Sequence, residues 1–217
     1  IGKHEGELTY DAFDELIGKM VKEFDEQGVL QRSPPPTSRD VVAETTLSFP
    51  GKVLADTHGG RLFISDTNHN RVLVTSLAGQ VRQVIGSGEE DLRDGDFAVV
   101  AFNHPQGMVL EGDTLFVADS ENHAIRRVDL MACTVKTIAG TGQQGYDRDG
   151  RRPGRTMALS SPWDLAHHDG MVYIAMAGIH QLWSLDLDTG NIGPYAGSGR
   201  ESLTDGPLAA AELAQPS

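Results

Sequence analysis

Three stretches of this chain are versions of one another, and a fourth begins near residue 213. The first runs from Phe49-Pro50-Gly51 through Arg61-Leu62-Phe63-Ile64-Ser65-Asp66 to Gly86-Ser87-Gly88. The second runs from His104-Pro105-Gln106 through Thr114-Leu115-Phe116-Val117-Ala118-Asp119 to Gly140-Thr141-Gly142. The third runs from Ser161-Pro162-Trp163 through Met171-Val172-Tyr173-Ile174-Ala175 to Gly197-Ser198-Gly199, and Gln215-Pro216 opens the next. The anchoring prolines Pro50, Pro105, Pro162 and Pro216 are 55, 57 and 54 residues apart. A fixed period in this range marks a repeat architecture, in which each unit buries its apolar faces against its neighbours.

Within a repeat the apolar pattern has period two, which is the alternation of a strand. The second copy gives four: Gly107–Leu110, Thr114–Asp119, Ile125–Leu130 and Val135–Ala139. Turn residues separate them, and the third copy repeats the scheme with turns at Asp169-Gly170 and Thr189-Gly190. Four strands and a restart is the layout of a β-propeller blade. A longer polar stretch follows each Gly-x-Gly and carries Asp94-Gly95, Asp149-Gly150 or Asp205-Gly206. It reads as the passage from one outer strand to the next inner strand, and it lengthens the period beyond the ~40–45 residues of a WD40 blade.

The N-terminal part has a different rhythm. Apolar residues at Phe13, Leu16, Ile17, Met20, Val21 and Phe24 predict an amphipathic helix over 10–27, with Thr9 as N-cap and Gly28 as the C′ residue. Residues 1–7 read as the end of a strand and a turn, and Pro34-Pro35-Pro36 as an extended linker. The expected domains are 1–32, a 33–46 linker and 47–217.

Composition then removes several functions. There are 18 Lys and Arg against 31 Asp and Glu, a formal charge of -13, which argues against nucleic-acid binding. No apolar run reaches a membrane span, and a cytoplasmic location is expected. The single cysteine, Cys133, cannot form an internal disulfide and is expected as a buried, inert thiol in a strand. Gly140-Thr141-Gly142-Gln143-Gln144-Gly145 has dinucleotide-loop spacing but precedes no helix, and Asp147-Arg148-Asp149-Gly150 lacks calcium-loop spacing. No nucleophile elbow, P-loop, HExxH or CxxC is present, and no cofactor is expected.

The Asn68-His69 and Asn122-His123 pairs, after Asp66 and Asp119 and before Arg71 and Arg126, resemble the NHL repeat. The stretches 49–53, 65–67, 118–126 and 161–164 resemble the group in which a thioredoxin-like domain precedes an NHL propeller. The resemblance covers roughly residues 47–217. It implies an all-β, six-bladed propeller of four-stranded NHL blades, three of them here, acting as a protein-binding scaffold. Residues 1–32 would then be the last strand and helix of the thioredoxin-like domain. Three open blades expose two sheet edges, so either the chain is a piece of the ring or the half ring closes as a homo-oligomer.

Asp66 with Arg71 and Asp119 with Arg126 are expected to be structural, because they recur and catalysis needs a single site. The third copy loses them: Met176 stands at Asp119 and Trp183 at Arg126. His69, His123 and His180 are rim candidates. The alternative to a scaffold is a metal-dependent lyase or hydrolase that would gather such histidines. Gln106, Trp163 and Asp164 follow the prolines at the inner strands and are the channel candidates, although packing between blades is the plainer role for Trp163. No catalytic or metal-ligating set is assigned.

Overall fold

The computed structural model describes residues 10–30 and 45–217, and the chain divides into Ile1–Thr46 and Leu47–Ser217. The expected N-terminal strand, the Thr9 cap and the proline linker lie outside the described residues. In the first unit, helix α1 spans Tyr10–Glu26. It ends as the sequence predicts. Gly28 takes φ 68°, its amide donates to Asp25 O, and the Val29 amide donates to Phe24 O at 3.1 Å. These paired bonds are a Schellman motif, which needs a left-handed C′ residue and therefore favours glycine. The stripe from Phe13 to Phe24 is exposed along its length.

The second unit is three antiparallel sheets. The first has β1 (Lys52–Asp56), β2 (Arg61–Asp66), β3 (Arg71–Ser76) and β4 (Val81–Ile85) in sequence order. The second contains β5 (Gly95–Asp96), β6 (Pro105–Glu111), β7 (Thr114–Asp119), β8 (Ala124–Asp129) and β9 (Thr134–Ala139). The third contains β10 (Arg152–Pro153), β11 (Pro162–His168), β12 (Met171–Met176), β13 (Gln181–Asp186) and β14 (Asn191–Ala196). The expected four strands are all there, with bounds shifted by a residue or two. The fifth, short strand is new. β5 pairs with β9 and β10 with β14, so the passages into the second and third blades first lie along the outer edge of the blade they enter. Such pairing shortens an otherwise open edge.

Alternation explains how the blades stack. Leu115 and Val117 of β7 join Phe63, Val72, Val74 and Ile85 of the first blade in one core. Phe116 and Ala118, one residue out of step, join Ile174, Met176, Trp183 and Leu185 of the third blade in the other. Successive side chains of a strand point to opposite faces, so a sheet sandwiched between two others is apolar on both.

The Gly-x-Gly at each blade's end has a steric cause. Gly86, Gly140 and Gly197 have φ of 121°, 98° and 97°, and the second glycines 86°, 86° and 81°. A Cβ on Gly140 would lie 2.3 Å from His123 O. The tight approach lets the strand end turn into the connection, where the Gly86 amide donates to Phe97 O and the Gly197 amide to Leu208 O. Cys133 departs from expectation. It lies in the turn before β9 at φ 53°, half-buried, with Gln83 Nε2 3.6 Å from its sulfur.

Candidate binding site at the inner strands

The strand registers move the histidine alignment by one residue. The β2–β3, β7–β8 and β12–β13 pairings end at Asp66↔Arg71, Asp119↔Ala124 and Met176↔Gln181. Asn70, His123 and His180 are therefore equivalent, and all three have positive φ, at 50°, 47° and 56°. His69 corresponds to Asn122 instead. The pattern Asn-His was paired by its letters; the backbone places the left-handed residue immediately before the third strand.

That left-handed residue joins neighbouring blades. Asn70 Oδ1 accepts the His104 amide at 3.0 Å, His123 Nδ1 the Ser161 amide at 3.1 Å, and His180 Nδ1 the Gln215 amide at 3.2 Å. Each donor directly precedes an anchoring proline. A second bond runs beside the first: Thr67 Oγ1 donates to Pro105 O at 2.8 Å and Ser120 Oγ to Pro162 O at 2.6 Å. In the third blade Ala177 takes the hydroxyl's place. His123 and His180 thus spend Nδ1 on backbone amides, and His69 Nδ1 lies 2.8 Å from Asp66 Oδ2. Among the described residues no three His, Cys, Asp or Glu converge as metal ligands would.

An Asp–Arg pair closes the corner of each of the first two blades, although the arginines are not equivalent: Arg71 stands opposite Asp66, whereas Ala124 stands opposite Asp119 and Arg126 lies two residues further along β8. Asp66 Oδ1 accepts the Ser48 amide at 2.7 Å while Oδ2 takes Arg71 Nε at 2.8 Å. Asp119 Oδ1 accepts the Asn103 amide at 2.7 Å and Oδ2 takes Asn122 and Arg126. Arg126, fully buried, also reaches Ala101 O and Arg93 O and stacks 5.0 Å above the Phe102 ring. Burial pushes the Asp119 carboxyl up to about 6 against the opposing pull of Arg126 and Asn122. For Asp66 burial again pushes up, but the Ser48 amide, Arg71 and His69 together hold it below the ordinary range. In the third blade Trp183 donates to Gln181 Oε1 at 3.0 Å, and Gln181 Nε2 reaches Arg148 O and Gly197 O. A packed apolar and amide arrangement can replace a buried ion pair without loss.

The channel candidates come together where β1, β6 and β11 lie side by side. Counted from each proline, the first positions hold Gly51, Gln106 and Trp163, and the second Lys52, Gly107 and Asp164. The Gln106 side chain covers Gly51, where a Cβ would meet Oε1 at 1.9 Å. Asp164 packs against Gly107, where a Cβ would lie 2.4 Å from Asp164 Oδ1. Across that glycine Lys52 Nζ pairs with Asp164 Oδ2, joining the first blade to the third. Trp163 is 41% exposed beside this pair rather than enclosed between blades; it is the unpaired residue of the β-bulge between Pro162 and Asp164. Lys52 and Gly107 complete the set beyond the residues that the sequence nominates. A Lys, Gly and Asp at one repeat position, opposite charges flanking a residue with no side chain, was the signal available.

Comparison with known proteins fits this geometry. The NHL repeat family matches residues 102–127, the stretch that runs from Phe102 to Arg127. NHL repeat-containing protein 2 of Gallus gallus is 41% identical over 182 residues, covering 75% of this chain and 25% of that protein. The chain belongs to the NHL-repeat family. The Arabidopsis thaliana protein SUPPRESSOR OF QUENCHING 1, chloroplastic, is 39% identical over 211 residues, covering 93% of this NHL-repeat chain and 20% of that protein. The chain therefore spans a quarter or less of the length of these relatives. Among solved structures, an auxiliary nutrient binding protein from Bacteroides thetaiotaomicron aligns at TM-score 0.54 and 14% identity, over 72% of this chain and 39% of that one, a likeness of fold alone.

Proposed function

We propose that this chain is a binding module, and that it presents the inner-strand residues Lys52, Gln106, Trp163 and Asp164 to a protein partner. One observation carries the reading. The positions after each proline differ from blade to blade, while the positions that join blades keep their chemistry. An exposed tryptophan is the residue type in which interface binding energy concentrates, and the Lys52–Asp164 pair gives it a polar flank. Of the histidines of the lyase alternative, His123 and His180 accept backbone amides and His69 lies against the Asp66 carboxylate, so nothing favours that reading. On this proposal the blades complete a six-membered ring in the whole protein, next to a thioredoxin-like domain. The Arabidopsis match supports continuity with the N-terminal unit, since 93% coverage leaves too few residues unmatched to miss it.

The test places a photo-crosslinking residue in the full-length protein at Gln106 or Trp163, and at Lys136 on the outer strand as a control. Discrete adducts from the inner positions and none from Lys136 support the proposal. Adducts from Lys136 alone would defeat it.

A further inference from the structure

A second site lies between the second and third blades, away from the inner strands. A cavity of about 510 Å³ opens there, floored by Phe116, Ile138, Leu185 and Leu187 and flanked by Arg127 and Arg155. Small-molecule sites have this size and this mixture of apolar walls with a few polar groups. Arg127 is the cross-strand neighbour of Phe116 and of Lys136, so three side chains share the face turned to the third blade, two of them cationic. Arg155 comes from the one-turn helix Gly154–Thr156, whose Gly154 amide is tied to Gly190 O at 2.8 Å.

The charges here are unequally engaged. Glu111, at the cavity's edge, has Oε2 3.2 Å from His167 Nδ1. Asp186 gives Oδ1 to the Asp188 and Thr189 amides at 2.9 and 3.0 Å, and the Thr189 contacts hold its carboxyl below the ordinary range. The side chains of Arg127 and Arg155 have no hydrogen-bond or ion-pair partner among the described residues. Two guanidiniums without an ion pair thus share this cavity with the carboxylates of Glu111 and Asp186, each already engaged through one oxygen.

We propose that this cleft binds a small amphipathic monocarboxylate: an aliphatic body against Phe116, Ile138 and Leu187, and a carboxylate between Arg127 and Arg155. Guanidinium groups pair with carboxylates through charge-assisted, often bidentate hydrogen bonds. The site is independent of the proposed inner-strand surface.

Octanoate, octanol and octylamine are titrated against the full chain by calorimetry, with the variants Arg127→Gln/Arg155→Gln and Leu187→Asp. Both arginines are exposed, and thermal unfolding confirms that the variants fold. Octanoate is expected to bind at least tenfold tighter than octanol or octylamine. The double arginine variant removes that preference and leaves octanol unchanged, and Leu187→Asp weakens both. Equal binding of octanoate and octanol, an unchanged preference in the arginine variant, or no binding of octanoate overturns the proposal.

Discussion

His123 and Asn70 do the same work with different chemistry. Each accepts one backbone amide from the next blade, at 3.1 and 3.0 Å. The role asks for a left-handed residue with a short side-chain acceptor, and asparagine meets it as well as histidine. His123→Asn should therefore stay within about 1 kcal/mol of wild type, while His123→Ala leaves the Ser161 amide unpaired at a cost of about 1–3 kcal/mol. Urea denaturation of both variants checks this; equal losses would mean the acceptor is irrelevant. The two aspartates give opposite pH behaviour. Asp119 is raised to about 6, so between about pH 4 and 6 the folded chain holds a proton that the unfolded chain has released. Its contribution is full below pH 4 and is lost as pH rises through 6. Asp66 is lowered, so its contribution is present above about pH 4 and is lost as pH falls further. The stability gap to Asp119→Asn should narrow from pH 4 to 6, and the gap to Asp66→Asn should narrow below pH 4. Denaturation midpoints across this range decide, and gaps of constant size would contradict the assignment.

At the scale of elements, each blade is fixed at its two ends by backbone conformations that side chains resist. Gly140→Ala places a Cβ 2.3 Å from a carbonyl at φ 98° and should cost more than about 1 kcal/mol. Gly112→Ala, at φ 57° with nothing within 4 Å, bears strain without the clash and should cost less. The ordering of their unfolding midpoints tests the steric account. Strand positions were legible because burial on both faces leaves short apolar runs bounded by turn residues, as in 115–118 after the Gly112-Asp113 turn. The short fifth strands were not, because Gly95-Asp96 and Arg152-Pro153 are two residues each and read as loop. Their pairing depends on tertiary contacts, such as Asp94 Oδ1 accepting the Thr137 amide at 2.9 Å and its hydroxyl at 2.6 Å. The histidine register is hidden in the sequence for a related reason. Letters repeat at Asn-His, while the feature that recurs from blade to blade is a dihedral angle that asparagine and histidine both supply.

For the whole molecule, repetition separates scaffold from surface. The seams between blades use equivalent bonds at each step, and the third blade lacks the hydroxyl that the first two contribute. The inner strands use their equivalent positions differently, and there Lys52 reaches Asp164 only because position 107 has no side chain. Gly107→Ala would push Asp164 away and should destabilise the inner end, which Lys52→Ala, on a pair partly open to water, should scarcely do. The candidate residues Gln106, Trp163 and Asp164 could be picked from sequence by their offset from proline, but their meeting with Lys52 required three strands folded side by side. The most direct test is the affinity of the full-length protein for whatever partner a crosslinker at Trp163 captures, measured for Trp163→Ala and for the outer-strand control Lys136→Ala. The account predicts at least a tenfold loss for Trp163→Ala and no change for Lys136→Ala; a loss confined to Lys136→Ala would contradict it.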